Sequence, residues 1–238
     1  MSAGRMLLWV IFPYVALPIF FVGHWWRYRT DQFAWTSRST QLLDRRILGW
    51  ASPMFHYGAP AAIGGHVIGL CIPPSVTSAI GIDEHAYRWI AGIAGGIAGL
   101  VTLIGFLGLV FRRASSERVR RRTTRMDMLT YLLLTLLICL GCWMTFSHTL
   151  ITSHPYNYRP TIGAWWRSLF YLHPDAAAAV RAPLVYQLHA LIAWAFWAAF
   201  PFGRLVHAWS IPLQYLGRPY ILYRRRYQGG RRRYQPLS

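Results

Sequence analysis

An all-α integral membrane protein with five transmembrane helices is the fold class that three features of this sequence predict. Apolar runs of about 20 residues recur along the chain. Of its 238 residues, 55% are hydrophobic and only 13% are charged, too apolar a balance for a soluble domain of this size. The basic residues stand in blocks between the apolar runs rather than along one exposed face, which makes them topology signals and argues against a nucleic-acid partner despite a net charge of +18.

The predicted spans are Met6 to Trp26, Trp50 to Cys71, Trp89 to Phe111, Met128 to His148, and Leu184 to Trp209. The first run follows Arg5 but ends in HWWRYR without a small-residue cleavage site, so it reads as a retained span and not as a leader. Positive residues stay on the cytoplasmic side during insertion. The connections after spans one and three and the C-terminal tail carry 19 arginines, whereas the opposite side carries five: Arg5, Arg88, Arg159, Arg167 and Arg181. The N-terminus is therefore expected outside and the C-terminus inside. Residues 1–210 form one transmembrane domain, and 211–238 a basic cytoplasmic tail of low complexity that suits anionic lipid or a partner. The largest outer segment, from about Thr149 to Pro183, is expected to hold a short interfacial helix and a loop.

Several chemistries are excluded. All 25 basic residues are arginine, which removes any mechanism built on a lysine. Three cysteines are too few for a disulfide framework or an iron–sulfur site, and Cys139 and Cys142 read as small packing residues. No phosphate-binding glycine loop, zinc-protease motif or nucleophile elbow is present.

What remains is histidine. Ionisable side chains within spans are expensive and are functional hypotheses by default. His56 and His66 lie in span two, and His189 and His207 in span five. Three crossings separate these spans, so they run antiparallel: His66 shares a depth with His189 toward the outer side, and His56 with His207 toward the inner side. Two neutral imidazoles on facing helices are what a b-type haem needs, and no CxxCH marks a covalent haem. His56 and His66 are ten residues apart, about 15 Å of helical rise, while His189 and His207 are eighteen apart, about 27 Å. Tilt and a kink near Pro201 are needed to reconcile the two spacings. Gly58, Gly64, Gly65 and Gly69 on span two, with Gly92, Gly95, Gly96 and Gly99 on span three, leave room for a macrocycle or for close helix contact. His24, His85, His148, His154 and His173 read as interfacial or solvated. Arg112 or Arg113 and Arg204 are candidate haem-propionate partners near the inner pair, positions that snorkelling arginines would also explain.

The chain resembles the gamma subunit, the membrane cytochrome b, of respiratory nitrate reductase. The resemblance runs through FPYVALPIFFVGHWWRYR, STQLLDRR, SPMFHYG, GGHVIG, AGGIAGL, FRRASSERVRRRTT and, most specifically, FPFGRLVHAWSIPLQYL. It implies a five-helix anchor in the cytoplasmic (inner) membrane, with two b haems: a distal one held by His66 and His189 and a proximal one held by His56 and His207. It further implies quinol oxidation near the outer face, with electrons passing inward to an iron–sulfur beta subunit and a molybdenum-containing alpha subunit that reduces nitrate. The family's quinol pocket falls on Gly65, His66 and the start of span three. That start reads IDEHAYRWI and lacks the family's lysine, so Arg88, Tyr87 or His85 must substitute. Two rival readings stay open: a quinone-linked cytochrome b serving another iron–sulfur oxidoreductase, as in sulfur metabolism, and a haem-free transporter using membrane histidines for protons. A partner's identity discriminates the first, and a colourless protein the second.

Overall fold

A computed structural model describes residues 2–36 and 45–210; the basic tail lies outside the described residues. Among these residues every regular element is helical. The long helices are α1 (Ala3–Thr30), α2 (Leu48–Cys71), α3 (Glu84–Ser115) and α4 (Arg125–Leu150). They are followed by the short α5 (Ile162–Phe170) and by α6 (Leu184–Phe202). One-turn helices at Pro74–Ala79, Glu117–Arg120 and Ala176–Val180 punctuate the connections.

The helices run past their apolar segments because their ends are chemically closed. The Asp83 side chain accepts the Ala86 N–H at 2.7 Å and caps α3, whose last turn carries Arg112 and Arg113 near the negative end of the helix dipole. Thr124 and Asp127 form a reciprocal capping box that starts α4.

By length and composition α1, α3, α4 and α6 are apolar enough to cross a membrane. α2 is not among them, for a physical reason: over 24 residues it has no charged side chain, but glycine, alanine, proline, serine and two histidines dilute its apolarity. Large apolar side chains such as Phe21, Ile97, Phe111 and Trp143 point outward and are more than half exposed. This inside-out distribution suits lipid.

Packing order is α2, α3, α4, α6, α1. The α2–α3 hairpin is the closest contact. A Cβ on Gly105 of α3 would lie 2.5 Å from the Phe55 nitrogen, and one on Gly58 of α2 would lie 2.7 Å from the Thr102 nitrogen. Any side chain there would force the hairpin apart. Gly92, Gly96 and Gly99 face Leu150, Phe146 and Cys142 of α4, so close helix contact accounts for them. Gly64, Gly65 and Gly95 would meet nothing within 4 Å.

Two ends of the bundle are distinct. At the arginine-rich end stand residues 31–36 and 45–47, the 116–124 connection and residues 203–210. At the loop end, α5 lies across the helix termini. Its buried Trp165 donates Nε1–H to the Trp9 carbonyl of α1 at 2.8 Å, and Trp166 stacks on Trp194 of α6 with ring centroids 5.2 Å apart. Arg167 donates to the Leu70 carbonyl of α2 at 3.0 Å. The expected interfacial helix is thus present, and it ties three long helices together.

The run from Leu184 to Trp209 is not one helix. α6 tightens into a 3-10 turn at Phe200–Phe202, Gly203 is extended, and a separate 3-10 segment spans Arg204–Ser210. Pro201 cannot continue the hydrogen-bond ladder. The freed carbonyls of Pro201 and Gly203 instead accept from the buried Arg27 guanidinium of α1, at 2.7 and 2.6 Å. The straight-helix separation of His189 and His207 therefore does not apply.

Candidate metal centre

The four span histidines meet in two pairs. The rings of His66 and His189 have centroids 5.9 Å apart and planes 14° from parallel; those of His56 and His207 are 6.0 Å apart at 58°. In each pair one ring comes from α2 and the other from α6 or the segment just beyond it. The backbones of α2 and α6 nevertheless do not pack along one another.

Local backbone carbonyls orient three of the four rings. His66 Nδ1–H donates to the Ala62 carbonyl at 2.7 Å, His56 Nδ1–H to the Ser52 carbonyl at 2.8 Å, and His207 Nδ1–H to the Arg204 carbonyl at 2.7 Å. A carbonyl can only accept, so the proton sits on Nδ1 and the Nε2 lone pair is left for a ligand. His189 differs: its buried Nδ1 has no partner among the described residues, and Gly141 of α4 leaves its Cε1 just enough room. His24, by contrast, has both ring nitrogens engaged, by the Phe20 carbonyl at 2.6 Å and by Trp209 Nε1–H at 3.0 Å, which bars it from ligation.

A metal bound between two imidazoles, at the usual bond length of about 2 Å, holds the ring centroids about 6 Å apart. Both pairs have that separation. Among the described residues no cluster brings together three or more histidine, cysteine or carboxylate side chains. The donor set is two nitrogens per site, which fits an iron whose remaining ligands belong to a macrocycle.

The other predicted residues divide. Gly65 lies beside His66 on an open face of α2. Tyr87 points elsewhere: its hydroxyl meets the Tyr158 hydroxyl at 3.1 Å, and the Arg159 guanidinium covers its ring at 3.9 Å. Both hydroxyls wedge against Gly69, three residues beyond His66. Burial, with Tyr87 beside it, pushes the Tyr158 hydroxyl well above the ordinary tyrosine value. Arg88 lies over the Trp89 ring at 4.8 Å, and its buried Nε has no hydrogen-bond partner among the described residues. His85 Nε2 accepts from Trp89 at 3.3 Å. Arg112 is buried at the arginine-rich end of α3. Arg204 grips Asp127 of α4: Nε donates to Oδ1 at 2.6 Å and Nη2 to Oδ2, with the Asp127 side chain only 3% exposed.

Sequence reading passed over three organising residues. Arg159, counted only as an outer charge, is fully buried and donates to Glu84 at 2.6 Å, Thr77 at 3.1 Å and the Ile72 carbonyl at 3.1 Å. Arg27 and Asp127 are the others. A signal existed for Asp127: the chain has seven acidic residues, and one in the first turn of a membrane helix needs a cationic partner.

Comparison with known proteins places the whole chain. The sequence matches the family described as nitrate reductase gamma subunit over residues 5–226. It is 40% identical to the nitrate reductase gamma chain of Bacillus subtilis over 220 residues, covering 92% of this chain and 98% of that one. It is 33% identical to the respiratory nitrate reductase 1 gamma chain of Escherichia coli over 224 residues, covering 94% and 98%. The nitrate reductase-like protein NarX of Mycobacterium tuberculosis is 47% identical over 220 residues, and there the chain spans about a third of the relative's length, 34%. A match over nearly the whole chain settles the family: this protein belongs to the nitrate reductase gamma subunits.

Proposed function

We propose that this chain is the membrane subunit through which a nitrate reductase takes electrons from quinol, and that it holds two b-type haems. The single observation that carries the reading is the geometry of the histidines: two facing pairs at two depths, each about 6 Å between centroids, with the proton fixed on Nδ1 in three of the four rings. His66 and His189 would hold the distal haem, and His56 and His207 the proximal one. Haem supplies reversible one-electron chemistry that no side chain here provides. The protein's own part is to aim four imidazoles in facing pairs, three of them with the proton fixed on Nδ1 by a backbone carbonyl so that Nε2 is free to bind iron.

Five spans follow from this reading, because α2 must lie at the depth of α6 for its histidines to face their partners. Orientation follows from charge. The arginine-rich end is the cytoplasmic one, and the apparent exceptions at the loop end weaken on inspection. Arg159 is paired with Glu84, and Arg167 is spread over the Leu70 and Arg159 carbonyls. The arginine-rich face is then the dock for an iron–sulfur beta subunit and, beyond it, a molybdenum-containing alpha subunit, in the cytoplasmic (inner) membrane.

Quinol would be oxidised at the loop end. Gly65 leaves the face beside His66 open to a flat ring, and the buried Nε–H of Arg88, without a partner among the described residues, is a donor for a quinol or quinone oxygen. Tyr87 supports that region through Tyr158. At the other end, Arg112 and Arg204 are the candidate partners of haem propionates, Arg204 through the guanidinium edge that Asp127 does not occupy.

The test is a stopped-flow experiment on the assembled complex. Added quinol should reduce a b-type absorbance, and nitrate should then reoxidise it. Reduction without reoxidation by nitrate would assign the chain to a different iron–sulfur oxidoreductase, and absence of a visible band would favour a haem-free transporter.

A further inference from the structure

We infer that Asp127 is a positioning residue for His207 and acts on it through Arg204. The inference rests on the reading of His207 as a haem ligand.

The contacts form a short relay. His56 and His66 stand on unbroken α-helix and donate to carbonyls four residues back, so α2 itself sets their rings. His207 has no such support. It lies beyond the break at Gly203, on the 3-10 segment, and donates to the Arg204 carbonyl three residues back. Where the His207 ring points therefore depends on where the Arg204 residue sits.

Arg204 is fixed from another helix. Its guanidinium meets the Asp127 carboxylate through two parallel bonds, a forked arrangement that sets direction as well as distance. Asp127 is immobile in turn. Its Oδ2 accepts the Thr124 N–H at 2.9 Å, and its own N–H donates to Thr124 Oγ1 at 3.2 Å. The carboxylate thus caps α4 and clamps Arg204 at once. One turn on, the Thr130 hydroxyl would lie 3.2 Å from a Cβ on Gly203, so α4 also seats the chain break itself. A buried ion pair is a poor source of net stability, because desolvation offsets its attraction. Its best-attested use is to fix one arrangement among several, which a ligand on a broken helix requires.

The experiment compares wild type with Asp127→Asn, Asp127→Glu and the double variant Asp127→Asn/Arg204→Gln in the intact complex. It reads each haem's low-spin electron paramagnetic resonance signal and midpoint potential. Asp127→Asn removes a negative charge near the inner haem while Arg204 stays cationic, so the inner potential should rise and its resonance shift, with the outer haem unchanged. Asp127→Glu should restore most of both. The double variant conserves net charge but loses the ionic clamp, so its inner resonance should stay shifted while the potential returns toward wild type. The outer haem reports folding in every variant.

The inference is overturned if Asp127→Asn leaves the inner resonance unmoved, or moves both haems alike. A wild-type protein without two distinct haem signals would overturn instead the reading beneath it.

Discussion

The two ends of this bundle solve the same problem, presenting a facing pair of imidazoles, by different means. At the loop end, both histidines stand on continuous α-helix, and their rings lie 14° from parallel. Order there comes from the returning loop: Arg159, Arg167 and Trp165 reach from it to α1, α2 and α3. At the arginine-rich end one histidine lies past a helix break and the rings are 58° apart. Order there comes from side chains of α1 and α4 that meet the broken segment, Arg27 on its carbonyls and Asp127 on Arg204. The difference teaches that a break in a membrane helix is tolerated when neighbouring helices supply the missing hydrogen-bond donors, and that the placing of the histidine beyond it then depends on them.

This contrast can be broken end by end. The largest effect is expected at Arg159. Arg159→Met removes a fully buried guanidinium and leaves Glu84, Thr77 and the Ile72 carbonyl without it. Glu84 is partly solvated, which tempers the loss, so about 3 kcal/mol is expected. Thermal unfolding in detergent should show a lowered midpoint, with faster proteolysis of the 151–161 loop and an intact arginine-rich end. Equal loss at both ends would refute the separation.

Arg27→Met comes next. It strips the Pro201 and Gly203 carbonyls of their shared donor, at an expected cost of about 2 kcal/mol. Hydrogen exchange should rise in residues 200–210 and stay at wild-type level in 156–170. Unchanged exchange in 200–210 would mean that the break supports itself.

The smallest effect concerns pH. Tyr158 is held protonated above the ordinary tyrosine value, by burial first and by Tyr87 second. The unfolded chain loses this proton near pH 10 while the folded one keeps it. Its contribution is therefore complete below pH 10 and declines as pH rises above it. Between pH 9 and 11 the wild type should lose stability more steeply than Tyr158→Phe; parallel slopes would show that the hydroxyl is not shielded.

Much of this was legible in the sequence, and the reason is geometric. Antiparallel spans fix which depths coincide, so His66 could be matched with His189, and His56 with His207, before any coordinates. Pro201 announced a bend. Hydropathy located the helices but not their ends: α3 runs from Glu84 to Ser115, well beyond Trp89 to Phe111, because Asp83 and the terminal arginines close it outside the apolar stretch. Hydropathy also understates α2, whose histidines and small residues are the features of interest.

Partners of charged residues were not legible. Reading an arginine as a topology marker says which side of the membrane it prefers, not that Arg159 meets Glu84 75 positions away or that Arg204 meets Asp127 77 positions away. The same limit governs the residues expected at a quinol pocket. Tyr87 stands at the loop end of the bundle, and its hydroxyl turns to Tyr158, a loop residue whose approach no helical period predicts.

The central claim is that each histidine pair holds its own haem. Its most direct test is a dithionite-reduced minus oxidised spectrum with haem-to-protein stoichiometry on the purified membrane protein, repeated on His66→Ala and His56→Ala. The account predicts two b haems in the wild type and one in each variant, with a different component lost each time. A wild type without a haem band, or a His66→Ala protein that keeps both haems, would contradict it.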